Sequence, residues 1–197
     1  MDTLVINQKT RFSSLRSKEC DKIIITGDGY RNVSLDNVTG NNLLCDCEYV
    51  ELKAKECNLA EVCINNSSLV YSEVVGCKIG KLNILAHKVQ DICQVKFINN
   101  DIDEMLINTS NHAKFFSGCN IKKLILENGE FMFWQLQRCR IDTLELKDIK
   151  ELKNFILIDV AIGKFVVNGE EMSLNITTNS RSILNVVKNT IMFTTVD

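Results

Sequence analysis

Three groups of side chains in this sequence have types and spacings that could do chemistry. Cys45-Asp46-Cys47, with Cys57 and Cys63 close behind, is the densest thiol cluster and the natural place to look for a metal. Structural zinc sites take paired C-x-x-C or histidine ligands. The spacings here do not match that set, and neither of the two histidines, His87 and His112, lies nearby. The cysteines are therefore expected in the core as small apolar residues, with no metal and no cofactor. Either histidine could serve as a general base, but each would need a partner and a cleft that the sequence does not place. Asp101, Asp103 and Glu104 form an acidic group, and paired carboxylates are the machinery of glycoside cleavage. A solvated acidic corner accounts for the same three residues. No phosphate-binding, dinucleotide-binding, nucleophile-elbow or zinc-protease motif occurs, so no catalytic residue is assigned.

Whatever these groups do must be positioned by the pattern that runs through them. Leu59, Ile64, Leu69, Val74, Ile79, Ile84 and Val89 are five residues apart, and the spacing returns at Ile121, Leu126, Phe131, Leu136, Ile141 and Leu146. Neither a helix of period 3.6 nor a simple alternating strand produces this period. A second column lies two residues before the first: Cys57, Val62, Ser67, Ser72, Cys77, Leu82 and His87, then Cys119, Leu124, Gly129, Trp134, Cys139 and Leu144. Residues two apart on extended chain share a face, so both columns can point to one interior.

Four such units make a superperiod. CNLAEVCI at Cys57 recurs as CKIGKLNI at Cys77, NDIDEMLI at Asn100, CNIKKLIL at Cys119, CRIDTLEL at Cys139 and VAIGKFVV at Val160, with starts 20, 23, 19, 20 and 21 residues apart. Stacked coils of about 20 residues would bury like residues over like. The register slips near residues 94–100 and again after Leu146. Over about residues 45–167 the chain resembles pentapeptide-repeat proteins, which carry a small residue two before a central Leu, Ile or Phe; CysAsnLeu at 57–59 and CysAsnIle at 119–121 come nearest. The resemblance implies a right-handed quadrilateral β-helix and a homodimer formed through the C-terminal end. A three-sided β-helix remains open, and so does a leucine-rich horseshoe, whose L-x-x-L-x-L pattern fits residues 141–152.

The fold expected is thus all-β: a single-domain right-handed parallel β-solenoid over residues 37–179, with a capping segment at 1–36 and a cap, short helix or final coil at 180–197. Residues 1–36 hold a strand candidate, DKIIITGDGY, and in 180–197 Ile183, Val187 and Ile191 share a helical face.

Composition narrows the function classes. The 197 residues carry 23 basic and 25 acidic side chains, net −2, with no run of five like charges, so nothing steers the chain to nucleic acid. No apolar stretch is long enough to span a membrane, and the start lacks the order of a signal peptide. Nine cysteines, an odd number placed by the repeat, favour a reducing interior and a cytoplasmic location. Outward apolar residues are the more informative feature: Leu106, Ile125 and Val166 fall in one column, with Met132 and Phe133 on the next side. These five are the candidate partner-binding residues, since contiguous exposed apolar surface marks interfaces. The function expected is a non-enzymatic interaction module with a protein partner. Alternatives are a carbohydrate-active β-helix enzyme using the acidic group, and a topoisomerase regulator that mimics DNA. Outward positions from Asn120 to Asp148 hold five bases and five acids, which does not favour mimicry.

Overall fold

The structure is a computed structural model describing residues 2–7, 12–65, 67–85, 94–108, 111–112, 114–168, 173–179 and 191–195. The chain is all-β, a parallel β-solenoid of about 20 residues per coil, and none of the described residues is helical. Each strand pairs in register with its counterpart one coil before and one coil after. Asn120–Glu127, for example, lies between Asp101–Asn108 and Arg140–Lys147, with Ile121 beside Ile102 and Ile141.

The five-residue period explains this winding. Inward residues follow one another at alternating steps of two and three, as in Cys57, Leu59, Val62 and Ile64, all buried. A step of two is one strand repeat; a step of three places two outward residues in succession and bends the chain around the interior. Every member of both inward columns that lies among the described residues is buried. Val89 and His87 lie outside them.

One corner recurs in the left-handed region coil after coil, where Ser17, Asn37, Glu56, Gly76, Asn99, Gly118, Arg138 and Asp159 stack with φ between 47° and 64°. Asn and Gly adopt this conformation readily, whereas other residues incur about 1–2 kcal/mol. The ladder does not break there: Asn37 N–H donates to Lys55 O (2.9 Å), Glu56 to Val75 O (2.9 Å), Gly76 to Ile98 O (2.9 Å) and Asn99 to Ser117 O (2.8 Å).

After Glu56 and Gly76 the next residue faces inward, and its amide finds a side-chain acceptor one coil later. Cys57 N–H donates to Cys77 Sγ (3.4 Å) and Cys77 N–H to Asn100 Oδ1 (2.8 Å). The same device operates elsewhere in the coil, where Cys47 N–H and Leu52 N–H donate to Ser67 Oγ and Ser72 Oγ, both at 2.9 Å. The acceptor side chains in turn donate to carbonyls two residues back, Cys77 Sγ to Val75 O (3.5 Å) and Ser67 Oγ to Asn65 O (2.9 Å). Cys, Ser and Asn suit these positions because each is a small group able both to accept and to donate.

In the C-terminal half aromatic rings fill the interior. Phe97 and Phe116 stack at 4.8 Å, Phe116 and Trp134 at 5.6 Å, and Trp134 and Phe155 at 6.0 Å, with Phe131 edge-on to Trp134 at 5.8 Å.

The coil register extends through the N-terminal segment. Thr3–Ile6 pairs with the strand Glu19–Asp36, which pairs with Thr39–Lys55. DKIIITGDGY therefore lies within a coil. At the other end Ile191–Thr195 is a strand parallel to Ser173–Thr178, so Ile191 begins a coil strand and not the helix its spacing suggested; β-branched Ile191, Thr194 and Thr195 suit that state. Residues 180–190, the rest of that proposed cap or helix, lie outside the described residues.

Asn100→Leu would leave Cys77 N–H and Val74 O without the partners that Asn100 supplies (2.8 and 2.9 Å). It should lower stability by about 2–4 kcal/mol in urea unfolding. Trp134→Ala, which empties a fully buried site, should cost about 3–5 kcal/mol. An unchanged urea midpoint in either variant would contradict this packing.

Candidate interaction face

One flat side of the coil, built by strands such as Asn58–Asn65 and Asn120–Glu127, presents three outward columns. The central one runs Val5, Ile24, Leu44, Cys63, Asn83, Leu106, Ile125, Glu145 and Val166, each paired in register with the next. Seven of these nine side chains are apolar or a thiol, so the column is a ridge one residue wide. Val5 is 51% exposed; Ile24, Leu44, Cys63, Leu106, Ile125 and Val166 are half-buried by their neighbours on adjoining rungs. Nine rungs at about 4.8 Å make the ridge about 38 Å long.

Two columns, polar except for Leu85, flank it. On one side run Lys22, Asn42, Glu61, Lys81, Glu104, Lys123, Thr143 and Lys164. On the other, two positions past the ridge, run Thr26, Asp46, Asn65, Leu85, Asn108, Glu127, Lys147 and Asn168. The flanks are tied along the solenoid axis: Lys81 to Glu104 (3.7 Å), Lys147 to Glu127 (3.2 Å), and Asn108 Nδ2 to Glu127 Oε1 (2.7 Å). Such exposed pairs contribute little stability individually, but they hold long side chains along the face and away from the ridge.

Two ridge residues are polar. Glu145 is drawn into the flanking network by Lys123 (3.3 Å) and Asn168 Nδ2 (3.2 Å). Asn83, flanked by Cys63 and Leu106, is 9% exposed, and its buried Oδ1 has no hydrogen-bond partner.

Of the five residues expected from the sequence, the structure brings Leu106, Ile125 and Val166 into this column, Val166 one rung beyond Glu145. Met132 and Phe133 stand on another side. Met132 is half-buried, in register with His112 and Lys153, and Phe133 is 62% exposed at a left-handed bend (φ 58°). Tyr71, 66% exposed with φ 46°, is a second aromatic held in this way. The sequence reading missed Val5, Ile24, Leu44 and Cys63; stepping back from Leu106 by one coil at a time would have found them.

The acidic group divides between two sides. Asp101 and Asp103 line an open groove of about 370 Å³ with Asn58, Lys78 and Gly80, and Glu104 turns onto the interaction face. Each carboxylate is engaged by an adjacent coil: Asp101 by Asn120 Nδ2 (2.8 Å), Asp103 by Lys122 (2.6 Å) and Glu104 by Lys81 (3.7 Å). His112 lies in the short strand Asn111–His112, and His87 lies outside the described residues.

The thiols do not converge. Cys45, Cys47 and Cys57 are interior, Cys63 is on the ridge, and no group of three or more metal-binding side chains occurs among the described residues. Burial pushes the thiols of Cys45, Cys47 and Cys63 up. In the stacked pairs a shared hydrogen bond raises Cys77 and Cys139 and draws Cys57 and Cys119 down. The eight cysteines among the described residues are all free, and only Cys63 is less than fully buried.

No family model matches the chain, and no curated protein or solved structure is significantly similar to it.

For Cys45, whose folded form holds its proton above the ordinary thiol range, the associated stability is complete below the unfolded value, about pH 8.5, and is lost as pH rises above it. Urea unfolding from pH 8 to 10.5 should show stability falling with pH, with Cys45→Ala reducing the slope by up to about 1.4 kcal/mol per unit. An identical slope in the variant would contradict the assignment.

Proposed function

We propose that the chain is a non-enzymatic interaction module whose ridge face docks on a protein surface. The observation that carries this reading is the ridge itself: large apolar side chains facing outward rung after rung on a rigid parallel sheet. Interaction surfaces are set apart by apolar anchors within a polar rim, and this face has both. Flat, side-to-side contact is what a stacked coil offers, because each rung repeats the shape of the last.

The repeat itself supports placing the protein with the pentapeptide-repeat class, since inward residues recur in pairs every five positions and small side chains serve the corners. Free, buried thiols support a reducing location such as the cytoplasm. The carbohydrate-enzyme reading has weaker support, because Asp101 and Asp103 are each held by a partner on the next coil and Glu104 leaves the groove.

With the protein immobilised, Ile125→Lys should abolish capture of the partner from a native extract, and Lys122→Glu, on the groove side, should leave it intact. Loss of the central anchor is expected to weaken binding at least about tenfold. Equal capture by Ile125→Lys and the unsubstituted protein, or no capture by either, would overturn the reading.

A further inference from the structure

We infer that the partner of the ridge face is a second copy of this chain, the two solenoids lying side by side with their axes parallel. This rests on the ridge being an interaction surface and adds which surface it meets.

The argument is one of self-complementarity. A two-fold axis running along the ridge brings each rung against the same rung of the second copy and reverses the strand direction. The residue on one flank of a rung then lies opposite the residue four positions later in the other chain. Glu61 meets Asn65, Glu104 meets Asn108, Lys123 meets Glu127 and Thr143 meets Lys147. Across the eight flanking rungs no like charges are set opposite one another. The other two-fold arrangement, with the axes antiparallel and the ridge centred on Asn83, sets Lys81 against Lys81 and Glu61 against Glu104. Facing like charges cost an interface several kcal/mol, so the charge pattern favours the parallel arrangement, whose one such pair is Glu145 with Glu145.

The ridge residues agree. In the parallel arrangement apolar side chains meet their own kind, as Leu44, Leu106 and Ile125 do. Asn83 meets Asn83, so the one amide on the ridge faces an amide. A buried Asn pair fixes register in parallel coiled coils in the same manner. Glu145, the one acid on the ridge, meets the second copy's Glu145, and each enters already paired with its own chain's Lys123 at 3.3 Å.

The area is sufficient. Nine rungs by five residues span about 38 by 16 Å, or about 600 Å² per copy and about 1,200 Å² in all. This reaches the lower bound of about 1,200 Å² for stable interfaces.

The arrangement places the two copies of Cys63 opposite each other across the axis. Dibromobimane, which joins two thiols by displacing two bromides, is therefore a direct probe. The full chain should sediment at twice its monomer mass and give a cross-linked dimer band. Cys63→Ser should lose the band and keep the mass. Leu106→Lys, and independently Ile125→Lys, should sediment as a monomer with unchanged circular dichroism, the dissociation constant rising at least about 100-fold. A monomeric full chain would overturn the inference, as would a dimer that survives both lysine variants or a cross-link that survives Cys63→Ser. A monomer whose extract partner is still lost in Ile125→Lys would remove only the second copy as occupant. A monomer with no Ile125-dependent capture would remove the interaction reading as well.

Discussion

Inward amides that point at the next coil, at Cys57 and Cys77 just after left-handed corners and at Cys47 and Leu52 elsewhere in the coil, are the constraint on which the rest of the structure depends. At each of these points the N–H is directed into the stack, where a missing acceptor would cost about 1–3 kcal/mol. Cys77, Asn100, Ser67 and Ser72 meet the need from the coil after, each with one small group that accepts from the amide and most with a proton to return to a carbonyl. A large apolar side chain cannot do this, and a charged one would enter the interior unpaired. These amides favour small hydrogen-bonding side chains where they point, and in-register stacking of the other inward residues makes the outer faces flat.

Asn100 shows how tightly this is coupled. It stands in a column otherwise made of Val38, Cys57, Cys77, Cys119, Cys139 and Val160. Its amide accepts from Cys77 N–H, donates to Val74 O at 2.9 Å and reaches Cys119 Sγ at 3.9 Å. The coil that ends at Asn100 is the longest, and a side chain with both a donor and an acceptor arm joins the two cysteine runs across it. On the C-terminal side the stacked rings of Phe97, Phe116, Trp134 and Phe155 stiffen the interior, and the ridge at Leu106 and Ile125 lies outside that same stretch.

Much of the inside was legible in the sequence because it obeys one period. Cys57 to Ile84 and Cys119 to Leu146 could be placed inward by counting, and the structure buries them. The outside was legible in part: Leu106, Ile125 and Val166 share a column and Phe133 stands on another side, but nothing in its spacing marked the left-handed bend that holds it. The corners were hidden for a physical reason. Asn37 and Asn99 signal a left-handed conformation, whereas Ser17, Glu56 and Arg138 adopt it only because the hydrogen-bond ladder on both sides outweighs their own preference. Residues 3–36 were hidden because their inward set, Ile23, Ile25, Val33 and Leu35, alternates as in any strand, and Arg31 occupies an inward place where it donates to the carbonyls of Tyr30 and Asp28 (2.8 Å each).

The central claim is that side chains one coil away satisfy these inward amides and so hold the coils in register. Amide hydrogen exchange resolved residue by residue tests it most directly. The account predicts that the amides of Leu52, Cys57 and Cys77 exchange as slowly as those of the strand residues Ile64 and Leu126, because all five are bonded across coils. Exchange of these three inward amides at the rate of exposed loops, with Ile64 and Leu126 still protected, would contradict it.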